Sequence, residues 1–147
     1  MREQLRLARP YLVLLGVVAI GRWIYGVVDY PYEKGHHIFS IVTLTVFSCL
    51  YYGVFLRRWR SARLIQAIVI GFILGAAGQI VILVLTALSY ALGMDTYFNH
   101  PTALNSTVPL DFAHAMQNRI GGLVGNSIFA GIAGALGWAL GGLLPEK

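Results

Sequence analysis

Charge-free apolar runs, separated by short polar clusters, organise this chain. Residues 38–56, 64–94 and 120–145 contain no Asp, Glu, Lys or Arg, and residues 10–28 form a fourth such run interrupted once, by Arg22. A bilayer core of ~30 Å is crossed by about 20 helical residues. Backbone N–H and C=O groups there must be bonded within the protein, which leaves helices or a closed barrel. Barrel strands would alternate apolar and polar residues with a period of two, and these runs do not. The pattern predicts an all-α, four-helix transmembrane bundle forming a single domain over 1–147, with spans at about 11–28, 38–56, 65–92 and 120–143.

The basic segment MREQLRLAR ahead of the first run has the form of a signal peptide. No A-x-A-like cleavage site follows, so a retained first helix is expected. Two connections, 29–37 and 57–63, are short, which makes helices one to three antiparallel neighbours. The third, 95–119, is long and holds Pro101 and Pro109. Its second half, 110–119, reads as an interfacial helix running into helix four.

Composition agrees with the pattern. Of the 147 residues 57% are hydrophobic and 12% charged, about half the charge of a soluble domain. This excludes a disordered chain and a secreted disulfide scaffold, and the single cysteine, Cys49, excludes an internal disulfide or CxxC motif. The net charge of +5 does not point to nucleic acid, because the basic residues follow membrane topology. Arg2, Arg6, Arg9, Arg57, Arg58, Arg60, Arg63 and Lys147 share one side with only Glu3 and Glu146. Arg22, Lys34 and Arg119 share the other with Asp29, Glu33, Asp95 and Asp111. The sides carry +6 and −1, so both termini are expected in the cytoplasm, in a bacterial inner membrane. Trp23, Tyr25, Tyr30 and Tyr32 then mark the outer interface, and Tyr51, Tyr52, Trp59 and Trp138 the inner one. Arg57, Arg58, Arg60 and Arg63 suit contact with anionic lipids of the inner leaflet.

Two helix faces stand out. In helix three, Gly71, Gly75, Gly78, Gln79, Thr86 and Ser89 fall on one stripe at 100° per residue. Small residues allow close helix approach in lipid, and a buried amide can bond across the contact. In helix four, Gly134, Gly137 and Gly141 share a face with Ala130, Asn126 and Arg119, while Gly121 and Gly125 lie opposite. Small residues on two faces suggest partners on two sides, in this chain and beyond it. The packing interface is therefore assigned to Gly71, Gly75, Gly78, Gln79, Gly121, Gly125, Gly134, Gly137 and Gly141. Arg22, about 9 Å from the outer end of its helix, is expected to pair with Asp29 or a lipid phosphate.

Candidate chemistry is sparse. His36, His37, His100 and His114 fall on the outer side with four carboxylates, a donor set that suits zinc, copper or pH sensing. However, His36 and His37 are adjacent, and Asp111 with His114 equally suits a hydrogen bond. A haem or pigment would use His37 or His114 as an axial ligand, and a quinone would need only an aromatic slot. Gly125-Asn126-Ser127-Ile128-Phe129 falls one glycine short of a nucleophile elbow. No metal and no cofactor is predicted. The preferred reading is a non-catalytic subunit that packs through its glycine faces against other membrane subunits or itself. The alternative is an oligomeric channel or transporter whose polar path is lined by Gln79, Asn126, Thr86, Ser40, Thr43 and Arg22. A redox subunit using the outer histidines comes third.

Overall fold

The structure, a computed structural model, describes residues 2–143, with side chains from residue 6 onward. Glu146 and Lys147, and the side chains of Arg2 and Glu3, lie outside the described residues. Four long helices carry the fold: α1 (Arg2–Val27), α3 (Ile41–Arg60), α4 (Leu64–Leu92) and α5 (Phe112–Gly141). A single turn, α2 (Tyr32–Gly35), and a 3₁₀ turn (Pro101–Leu104) lie in the connections, and no strand occurs among the described residues. All four long helices are long and apolar enough to cross a membrane, which suits an integral, multi-pass protein. Their surfaces agree: Val13, Val17, Phe47, Val84, Val124 and Leu136 are all exposed, a pattern that hydrocarbon accommodates and water does not.

The ends of the helices follow local chemistry. The Ser40 hydroxyl accepts from the Thr43 N–H at 3.2 Å and starts α3, and the Asp111 carboxylate accepts from the His114 N–H at 2.9 Å and starts α5. Both are N-caps of the usual kind. Because Asp111 is the cap, α5 runs unbroken from Phe112. Residues 112–119, expected as an interfacial segment, are its first turns. Asp29, Ser61, Gly93 and Asn105 all have positive φ and each ends a helix or 3₁₀ turn. At Asp29 the Tyr30 N–H bonds the Tyr25 carbonyl and the Asp29 N–H that of Gly26, the Schellman arrangement.

Helices α3, α4 and α5 form a tight group. Glycines permit it, since a Cβ at Gly71 would collide with the Ala130 carbonyl, one at Gly134 with that of Ala67, and one at Gly137 with that of Leu50. Gly75 faces Ala130 and Ser127, and Gly141 faces Val54. Helix α1 lies against α3 and α4 more loosely. Only 17% of its apolar window is buried, against 39% for α4. Its ties are specific: the Tyr11 hydroxyl donates to the Leu74 carbonyl at 3.0 Å and meets Thr45 Oγ1 at 2.8 Å, and Tyr52 donates to the Leu7 carbonyl at 2.8 Å. Gly78 leaves room for the Tyr11 hydroxyl. The start of α1 and the end of α5 therefore lie at the bundle end that carries the arginine connection, 57–63.

Candidate functional site

The long connection, residues 93–111, is folded onto the opposite end of the bundle. Ser89 and Thr96 hydroxyls meet at 2.7 Å, the Asn99 side chain accepts from the Thr96 N–H, Tyr90 donates to the Leu110 carbonyl, and Asn118 donates to the Leu104 carbonyl. Gly26 lies so close to Thr96 and Tyr97 that a Cβ would strike their backbone. Trp23 packs on Phe98 with ring centroids 6.1 Å apart. These contacts place Tyr97 and Phe98, both buried, over the ends of α1 and α4.

Beneath this cover two arginines from different helices share one cavity of about 240 Å³. Arg119 of α5 reaches α4 and the connection: Nε donates to Thr86 Oγ1 at 3.0 Å, one terminal nitrogen to the Ala103 carbonyl at 3.0 Å and the other to the Phe98 carbonyl at 2.6 Å. Arg22 of α1 donates to the carbonyls of His36 at 3.0 Å and Phe39 at 3.4 Å. Its guanidinium carbon lies 5.6 Å from the Tyr97 and Phe98 ring centroids and 5.9 Å from that of Tyr32, within cation–π range. Tyr32, His36 and Ser40 complete the polar wall, and none of the described lining residues is acidic. The Tyr97 phenol donates to the Tyr30 and Pro31 carbonyls. Its burial pushes its pKa up, and the Tyr30 phenol adds to this while the nearby Arg22 opposes it.

The expected Arg22–Asp29 pair does not form among the described residues. Helix α1 ends at Val27, and Asp29, with φ 53°, starts the chain in a new direction. Arg22 turns inward to carbonyl oxygens instead. Neither the cavity nor the role of Arg119 was anticipated; the signal was Arg119 sharing a face with Asn126 while Thr86 lies on the polar stripe of α4.

The histidines divide. His36, His37 and His100 gather near Tyr32, with His100 stacked on that ring at 4.1 Å and His36 at 5.0 Å, and His37 lying 3.6 Å from His36, centroid to centroid. The His36 Nδ1 bonds the Tyr32 carbonyl. His36 and His100 lie near-parallel to the Tyr32 ring, at 11° and 4°, while His37 is tilted 42° to His36, and among the described residues no three His, Cys, Asp or Glu side chains group around a point suited to a metal ion. His114 stands apart, exposed, with Nδ1 2.8 Å from the Asp111 carboxylate.

The remaining candidates separate into engaged and open positions. Gly71, Gly75, Gly78, Gly134, Gly137 and Gly141 are used within the chain, whereas a Cβ at Gly121 or Gly125 would meet nothing within 4 Å. Gln79 is buried and Asn126 exposed. Both amides approach Gly122, at 3.5 Å and 3.6 Å from where its Cβ would stand, and neither has a hydrogen-bond partner among the described residues. Of the polar path, Arg22, Ser40 and the Thr86 partner Arg119 meet at the cavity. Thr43 is occupied with the Ser40 cap. Ile82 and Ile41 form the cavity's apolar wall. At the other end Arg57 lies 3.8 Å from the Trp138 ring centroid, Arg58 and Arg60 lie in the last turn of α3, and Arg63 precedes α4.

A second cavity of about 420 Å³, between α1 and α4, is lined by Gly16, Ala19, Ile20, Trp23, Val81 and Leu85 among others and offers no polar group. Compared with protein-family models, curated proteins and solved structures, this chain matches none.

Proposed function

We propose that this chain is a small non-catalytic integral membrane subunit that joins a larger assembly through the half of α5 nearer the long connection. One observation carries the reading. Gly121 and Gly125 have open space over them. The other stripe glycines are engaged within the chain. In hydrocarbon small residues let a second helix approach closely, and the face of Gly121 and Gly125 is the one left open for it. With both termini and the arginine connection on the cytoplasmic side, Arg57, Arg58, Arg60 and Arg63 face anionic inner-leaflet lipids.

Native mass spectrometry after mild extraction tests the reading. A mass above that of one chain, reduced to one chain by Gly121→Leu or Gly125→Leu, is expected; a lone chain in the unaltered protein overturns it. The approach of Gln79 and Asn126 to Gly122 favours a second reading, an oligomeric path for a polar solute. In that case Gln79→Leu changes flux in reconstituted vesicles while leaving the mass of the assembly intact.

A further inference from the structure

We propose that the cavity between Arg22 and Arg119 binds a phosphate group, carried by a phospholipid headgroup or free. The inference does not depend on how the chain assembles. Two guanidinium groups from separate helices line one cavity of about 240 Å³, and no acidic side chain among the described residues lines it with them. All their present acceptors are neutral: four backbone carbonyls and the Thr86 hydroxyl. Two cations held in one half-buried site repel each other, and a bound anion relieves that repulsion.

The donor inventory points the same way. A guanidinium has five N–H donors. The bonds above leave three on Arg22 and two on Arg119 without an acceptor among the described residues. The Ser40 oxygen accepts from the Thr43 N–H and hydroxyl, so its own hydrogen remains to be donated. A carboxylate presents about four acceptor sites, fewer than these donors, whereas a phosphate group offers more and matches the guanidinium fork. The volume suffices for a phosphate group with a few waters, at ~30 Å³ for each water.

The site is also held ready. Arg119 is fixed at three nitrogens, and Arg22 is fixed by two carbonyls beneath three aromatic rings, so little ordering is left for the ligand to impose. Val42, on the cavity wall, is 51% exposed on a span of α3, which gives a lipid headgroup a lateral approach. Thr102, in the connection, is exposed at the same cavity and gives a free anion an approach from water.

The experiment uses the full chain in a non-ionic, phosphate-free maltoside detergent and reads its thermal unfolding midpoint. Inorganic phosphate and a short-chain phosphatidylglycerol are titrated separately, with the matching phosphatidylcholine as the neutral-headgroup comparison. A saturable rise of several degrees is expected with phosphatidylglycerol, inorganic phosphate or both, and a smaller one with phosphatidylcholine. A response to phosphatidylglycerol alone identifies the lipid as the source, and one to phosphate alone identifies the free anion. Arg22→Gln and Arg119→Lys are each expected to weaken the response at least tenfold in apparent affinity, and Lys34→Gln, an exposed cation of α2, to leave it unchanged. Arg22, bonded only to two carbonyls, suffices as the test should Arg119→Lys not fold. The absence of any rise in the unaltered chain, or a response of equal affinity in Arg22→Gln, overturns the proposal.

Discussion

Arg119 of α5 donates through Nε to the Thr86 hydroxyl of α4 at 3.0 Å, while that hydroxyl donates to the Ile82 carbonyl at 2.7 Å. Thr86 is buried, so its oxygen is the acceptor available to Nε at that point. Thr86→Val keeps the shape and removes the acceptor, leaving a charged donor unsatisfied, which costs about 1–3 kcal/mol. Thr86→Ser retains the oxygen. Thermal unfolding in detergent is expected to show a lower midpoint for Thr86→Val than for Thr86→Ser. Equal midpoints would mean that the hydroxyl does not hold the arginine.

The glycines fall into two kinds with opposite expected behaviour. At Gly137 a methyl group would collide with the Leu50 carbonyl, and backbone cannot give way as a side-chain tip can. Gly137→Ala should therefore destabilise the bundle by about 1–3 kcal/mol. At Gly121 a methyl group meets nothing, and alanine favours the helix by up to about 1 kcal/mol. Chemical denaturation of the two variants in detergent should move in opposite directions. If Gly121→Ala unfolds the isolated chain as readily as Gly137→Ala, the division between engaged and open glycines is wrong.

Helix existence was legible because it rests on hydropathy, which the solvent imposes along the whole chain. Boundaries were less legible because hydropathy stops at a charge and a helix need not. Residues 112–119 include Arg119, which ended the apolar run, yet Asp111 caps the helix eight residues earlier. Likewise α1 begins at Arg2 and passes through Pro10, well before the apolar run. The candidate site was harder to read. Arg22 was visible as a charge within a span, but its partners are backbone carbonyls of residues 36 and 39, which carry no side-chain signature. Its convergence with Arg119 depends on the path of residues 93–111, and no periodic pattern encodes that path.

Asp111 gives a pH dependence of known sign. The His114 backbone N–H, and next the His114 side chain, hold its carboxyl below the usual carboxylate value. A carboxyl whose pKa is lower in the folded state stabilises the fold above its unfolded pKa of about 4, and that stabilisation is lost as pH falls through the folded value. Unfolding midpoints followed from pH 7 downward should therefore decline in the acid range below about pH 4. Asp111→Asn, which can still accept from the His114 N–H, should reduce the decline. An identical acid profile in that variant would remove Asp111 as its source.

The proposed sidedness rests on the arginine connection. A cysteine replacing Asn105 is expected to react with a membrane-impermeant maleimide added to intact cells, and one replacing Ser61 only after the membrane is opened. Cys49 is fully buried and should contribute little background. The reverse labelling pattern would invert the proposed orientation and place the four arginines of residues 57–63 on the outer face.

The open face of α5 is proposed to meet another membrane helix. A photo-crosslinking phenylalanine derivative replacing Ile128, exposed one turn from Gly125, leaves the glycines in place and can be activated in the native membrane, with the same group at Phe47, exposed on α3, as the lipid-facing comparison. A discrete product of higher mass is expected from position 128, composed of two copies of this chain or of this chain and one partner, and no such product from position 47. A chain that remains monomeric after activation at position 128 would overturn the proposal.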